Sequence, residues 1–230
     1  MHSQRSESAL RNELIDGLQQ THAQARMSGW DFSALAGRLR ADEPWWDFEQ
    51  DCFAALQASE IGALDLGTGG GERLSGLLDR FSHGTQLPPT VLATEGWKPN
   101  VPIARTRLAP YGVQVIEYDS EIKQHLDLPE GRLDLVMSRH ESFDPGELSR
   151  VLVPGGSFLT QQVDGFDAPQ LHRWFAAPFT YPEVTAKNYA TLLTESGFRI
   201  EHHAQTLWEL HQHEPIEVTQ RRFRIYATRC

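Results

Sequence analysis

The run Ala63-Leu64-Asp65-Leu66-Gly67-Thr68-Gly69-Gly70-Gly71-Glu72 constrains this chain more than any other ten residues. Its apolar start reads as a short strand and its glycines as a tight turn. Leu74, Leu77, Leu78 and Phe81 then make an i, i+3, i+4, i+7 helix face. A strand that turns directly into a helix opens a parallel α/β unit. Glycines there permit positive φ and let a ligand approach the backbone, while the helix N-terminus presents unpaired N–H groups. Asp65, two residues before the first glycine, biases the ligand's charge. It would repel the pyrophosphate that a dinucleotide places at such a turn, and it favours a ligand carrying an ammonium or a sulfonium.

The rest of the chain extends this unit. Residues 61–66, 90–94, 113–118, 133–138 and 157–163 read as strands, with helical patterns between them, including a weaker face at Ile103, Ala104 and Leu108. Residues 184–196 predict a helix stopped by Gly197. Two β-type runs, 198–207 and 218–228, close the chain. Only Trp208 to Glu217 separate them, too few residues for a parallel crossover, so they form an antiparallel pair. The expected fold class is α/β, a doubly wound, Rossmann-like sheet, mostly parallel with a C-terminal antiparallel hairpin. Residues 1–60 form a helical and aromatic cap, with Leu10, Leu14, Ile15 and Leu18 on a helix over 7–27. An aromatic connector follows, from Gly29-Trp30-Asp31-Phe32 to Trp45-Trp46-Asp47-Phe48, and then a short helix carrying Phe48, Cys52, Phe53 and Leu56. Residues 61–230 form the main domain, and the Pro- and aromatic-rich stretch 164–182 is a loop or lid within it.

Composition narrows the partners. A net charge of −10 over 230 residues does not suit a protein that coats itself in nucleic-acid phosphates. No stretch approaches the ~20 apolar residues of a membrane span, and Met1 to Glu7 is polar rather than leader-like. Two cysteines, Cys52 and Cys230, make no disulfide framework, which favours a reducing compartment and a cytoplasmic location. The expected state is a monomer or homodimer. His202, His203, His211 and His213 show no zinc-ligand spacing, so no metal site is expected.

Two further carboxylates fall at strand ends. Glu95, about twenty residues after the glycine turn, is placed to accept both hydroxyls of a ribose. Asp119 follows the next strand, where it could accept an adenine amino hydrogen. With these positions, residues 45–163 resemble a class I S-adenosylmethionine-dependent methyltransferase, of the small-molecule branch labelled methyltransferase type 11. Asp65 to Gly71 resembles that family's first motif, with Gly67, Thr68, Gly69 and Gly71 around the cofactor. Thr94-Glu95-Gly96 resembles its ribose motif and Asp119-Ser120 its adenine position. Leu133 to His140 resembles its fourth strand, with Ser138 and Arg139 at the cofactor, and Leu152-Val153-Pro154-Gly155-Gly156 its turn from a helix into the fifth strand. The resemblance implies S-adenosylmethionine as cofactor and methyl transfer to a small molecule. Trp45, with Trp46 and Phe48, either folds over the cofactor, as the resemblance implies, or plugs the space between the first helix and the sheet.

Missing motifs exclude some branches. After the fourth strand the chain reads Ser138-Arg139-His140-Glu141-Ser142-Phe143, without the Pro-Pro of amino-group DNA methylation, and no cysteine falls where cytosine-carbon methylation needs one. His140, at the carboxyl end of that strand, is either the general base or a structural group lining the cofactor. Glu141 either orients that imidazole or meets the substrate. An NAD(P)-dependent oxidoreductase is the alternative from another cofactor class, opposed by Asp65 and the terminal hairpin. A non-catalytic binder of S-adenosylmethionine or S-adenosylhomocysteine is the third reading.

Overall fold

The computed structural model describes residues 7–24, 44–81, 87–123, 125–210 and 218–230. Residues 29–32 of the aromatic connector, His211 and His213 lie outside them, as do the side chains of His202 and His203. In chain order the elements are α1 (Glu7–Gln24), α2 (Phe48–Ala58), β1 (Ala63–Leu66), α3 (Glu72–Asp79), β2 (Val91–Glu95), α4 (Val101–Leu108), β3 (Gln114–Glu117) and β4 (Leu133–Arg139). Then come α5 (Pro145–Val151), β5 (Leu152–Val163), α6 (Pro169–Trp174), α7 (Ala186–Glu195), β6 (Phe198–Leu210) and β7 (Val218–Arg229).

These strands form one seven-stranded sheet in the order β3-β2-β1-β4-β5-β7-β6. The first five run parallel, and β7 enters antiparallel between β5 and β6. Parallel strands buried on both faces need apolar residues at successive positions. β4 supplies them: Leu135 and Met137 join a core under α2 and α3, while Leu133 and Val136 join a second core under α5 and α7. The chain leaves β1 toward β2 and β3 and later returns to β4 beside β1. The carboxyl ends of β1 and β4 therefore flank a switch point, the crevice where open α/β sheets bind ligands.

Side-chain caps set the helix starts. Asp47 accepts from Gln50 N–H at 2.9 Å, Asp144 from Glu147 N–H at 2.8 Å and Thr185 from Asn188 N–H at 3.2 Å. The strand expected from 157 begins at Leu152. Its pairing with β4 jumps from Leu133↔Leu152 to Leu135↔Ser157, so Pro154-Gly155-Gly156 forms an irregularity inside the strand. The stretch 164–182 contains α6, flanked by Ala168 and Ala176 at positive φ. On α1, Leu14 and Leu18 are more than 60% exposed, so the stripe legible in the sequence is uncovered by the described residues.

Candidate functional site

The glycine turn adopts the conformation its composition demands. Gly67, Gly69 and Gly71 have φ of 76°, 64° and 82°, a region costly for residues with a β-carbon. Neighbouring strands fix the turn: Gly67 N–H donates to Thr94 Oγ1 at 3.0 Å and Thr68 N–H to Thr94 O at 2.8 Å. From α4, Arg107 donates Nε–H to Gly70 O at 2.9 Å and pairs with Glu72 at 3.0 Å. Arg107 carries no motif of its own, and only its distant partners reveal its part.

Three carboxyls converge on this turn. Burial raises Asp65 to about 6, reinforced by the Glu95 charge. The Thr68 hydroxyl beside it is buried without a well-formed hydrogen bond. Glu95 is 6% exposed and accepts Trp97 N–H at 2.8 Å, with Gly69 and Gly96 N–H groups also directed at it, yet burial still raises its pKa. Glu141 lies across Gly67 so closely that a β-carbon on that glycine would fall 2.4 Å from Glu141 Cγ. Burial and the charges of Glu95 and Asp119 push Glu141 up to about 7.

The expected adenine end is drawn together as well. Asp119 Oδ1 accepts Glu121 N–H at 2.9 Å, and Ser120 Oγ lies 2.5 Å from Ser142 Oγ, tying the loop after β3 to the loop after β4. Gly96 has no room for a side chain, since a β-carbon would fall 3.0 Å from Tyr118 O. Ser138 is fully buried and donates to Glu141 O at 3.3 Å, which ties the end of β4 to the turn after it. Trp45 is 68% exposed and packs edge-on against Trp46 at 5.4 Å, with the Arg224 guanidinium 5.6 Å above its ring. Trp46, not Trp45, turns inward, where its indole N–H reaches Gln161.

Two cavities meet at His140. One, of about 530 Å³, lies over the glycine turn and is bordered by Asp65, Gly67, Thr68, Arg73, Arg139 and His140. The other, of about 450 Å³, lies beneath α6 and is bordered by His140, Glu141, Gln162, Asp164, Tyr181 and Tyr189 among others. The first has the inventory for a zwitterion: carboxylate, guanidinium and a hydroxyl on a glycine cradle. S-adenosylmethionine, with its ammonium, carboxylate and sulfonium, fits those residues. His140 itself has a positive φ of 60°, rare for a residue with a β-carbon and a mark of functional sites. Burial, then Arg222, Arg139 and Arg73, lowers its pKa to about 3. That departs from the imidazole midpoint near ~6.5 that a general base at this position would use. Burial pushes the Cys52 thiol upward, so it is unreactive.

No protein-family model matches the sequence, and no curated protein does. Solved structures do share its architecture. A functionally unknown protein from Deinococcus radiodurans R1 aligns with a TM-score of 0.61 at 14% identity, over 84% of this chain and 90% of that one. A SAM dependent methyltransferase from Aquifex aeolicus aligns with a TM-score of 0.56 at 19% identity, over 87% and 94%. The cyclase SpnF aligns with a TM-score of 0.54 at 16% identity, over 78% and 79%, so the architecture alone does not specify the reaction. At these identities the likeness establishes the fold, and the chain has the fold of the class I S-adenosylmethionine-dependent methyltransferases.

Proposed function

We propose that this protein binds S-adenosylmethionine over the glycine turn and transfers its methyl group to a small-molecule nucleophile held beneath α6. One observation carries the reading: Asp65 and Arg139 border the same cavity as the turn. A carboxylate and a guanidinium side by side match the ammonium and carboxylate of a methionyl end, whereas a nicotinamide dinucleotide offers two phosphates and no ammonium. Glu95 would take the ribose hydroxyls, and Asp119 with Ser120 the adenine edge. A carboxylate has about four lone-pair directions, so Glu95 can accept from the turn and from a ribose together.

When bound, the sulfonium supplies a methyl carbon already activated toward displacement. The chain's own residues align the nucleophile and remove its proton. Glu141 borders the cavity under α6, and a carboxyl tuned to about 7 is half-ionised at neutral pH, as a general base requires. Loss of the substrate proton to Glu141 also removes a negative charge from the crowd formed with Glu95 and Asp119. Tyr181 and Tyr189 line the same cavity and offer apolar surface to a substrate. Among the described residues no helix is long and apolar enough to cross a membrane. The net charge of −10 favours a metabolite over a nucleic acid as substrate, and we take the enzyme as cytoplasmic, a monomer or homodimer.

Calorimetric titration with S-adenosylmethionine and with NAD tests the cofactor. Binding of the first alone is expected, and binding of NAD alone overturns the reading. Release of S-adenosylhomocysteine in a metabolite extract then separates an enzyme from a binder.

A further inference from the structure

The Trp46–Gln161 pair takes no part in the steps above, although it joins buried side chains 115 residues apart. Trp46 donates its indole Nε1–H to Gln161 Oε1 at 2.8 Å. An indole nitrogen can only donate, so this contact decides which end of the Gln161 amide is oxygen. The other end, Nε2, lies 3.3 Å from His140 Nε2. An amide nitrogen also only donates, so His140 Nε2 must supply its lone pair. A neutral imidazole carries one hydrogen, which is then on Nδ1. The backbone keeps the partners in register, because His140 N–H donates to Gln161 O at 2.8 Å. A second proton on Nε2 would oppose the Gln161 amide N–H, and Arg222, Arg139 and Arg73 disfavour a further positive charge there, although Glu141 borders the same cavity. Among the described residues Nδ1 has no hydrogen-bond partner, and the ring borders both cavities.

We propose that Trp46 and Gln161 are positioning residues that lock His140 as a standing N–H donor between the two cavities, where it holds an acceptor oxygen of the bound ligand. This rests on the methyl-transfer reading only for the identity of that ligand. A nucleophile with two lone pairs, such as a hydroxyl, can accept from Nδ1–H through one and attack through the other. An amine has a single lone pair, and the reaction consumes it. The site therefore suits an oxygen nucleophile, with Glu141 taking its proton. The oxygen lone pair forms the new bond to the methyl carbon, the carbon–sulfur pair returns to sulfur, and Glu141 leaves as the neutral acid.

The test needs no substrate. In protein made with 15N-labelled histidine, long-range proton–nitrogen spectra distinguish the tautomers, and the His140→Gln variant assigns the signal among the ten histidines. The expected pattern for His140 is a protonated Nδ1 and a bare Nε2, unchanged between about pH 5 and 8. Gln161→Glu offers oxygens to both neighbours, so Nε2 should gain a proton while Trp46 stays satisfied. Trp46→Phe frees the amide to turn over and should give a mixture of tautomers in a folded protein. A bare Nδ1 in the parent, titration near ~pH 6.5, or an unprotonated Nε2 in folded Gln161→Glu would overturn the proposal. Calorimetry with S-adenosylmethionine reports on the cofactor reading independently, so one can fail while the other stands.

Discussion

Asp134 and Asp65 lie on neighbouring strands, and their surroundings treat them in opposite ways. Asp134, at the start of β4, accepts from Ser59 Oγ at 2.7 Å and from the N–H groups of Glu60, Ile61 and Gly62 at 2.6 to 3.0 Å. Those four bonds hold its carboxyl below the usual range despite partial burial, and they bind the α2–β1 connector to the sheet. Glu147 is similar, brought down to about 2 first by Arg150 and also by Leu126 N–H. At the carboxyl ends of the strands Asp65, Glu95 and Glu141 are all raised, because burial outweighs the donors the chain provides. Carboxylates satisfied from within hold the fold. Those left short of donors sit at the carboxyl ends of the strands, where open α/β sheets bind ligands.

The comparison breaks most visibly at Glu141. Glu141→Gln should lower turnover by roughly 10²- to 10⁴-fold while S-adenosylhomocysteine still binds, measured by single-turnover kinetics and calorimetry. In the parent the rate should fall as pH drops through about 7 and Glu141 takes a proton. The variant should lose that limb, and a limb that persists would return the base to another group. Next in size, Glu95→Ala should weaken S-adenosylhomocysteine by about 2–3 kcal/mol without loosening the fold. Asp134→Asn should do the reverse: affinity unchanged, and folding stability lower by about 2 kcal/mol in urea titrations, discounted because water reaches part of the site. Equal effects of both variants on affinity would erase the distinction between the two sets.

What the sequence made legible was local or periodic. The turn at 67–71, the alternation of strands and helices and the antiparallel close all follow from spacing within about a dozen residues. Asp65, Glu95 and Asp119 could be picked out because strand ends in a doubly wound sheet gather at one edge. The environment of His140 was not legible, since it depends on Arg222 some eighty positions later and on an amide fixed by Trp46. The same holds for Arg107, which braces Gly70 from another helix. Glu141 was visible as a candidate, but its position across Gly67 is a packing outcome, and packing gives it the raised pKa. Trp45 and Trp46 are identical in type, and only tertiary contacts decide which faces inward.

The smallest expected effect follows from the same division. A carboxyl whose folded pKa is raised stabilises the folded form least once it is ionised. For Asp65, moved from 3.8 to about 6, stability is full below about pH 4 and declines as pH climbs through 6. Glu141 extends that decline to about pH 7, while Glu147, lowered to about 2, costs stability only as pH falls through the range from 4.5 to 2. His140, held low, works the other way and gains stability as pH rises to about 6.5. The carboxyls together outweigh it, so the parent should unfold at less urea at about pH 8 than at about pH 5. Asp65→Asn removes one buried charge and should recover about 1–2 kcal/mol at about pH 8, with little change at about pH 4. S-adenosylmethionine should flatten the parent's dependence in the same way, because its ammonium supplies the charge that Asp65 lacks. If Asp65→Asn is no more stable than the parent at about pH 8, the fold already meets the needs of Asp65, and the cavity over the turn loses its claim on a cation.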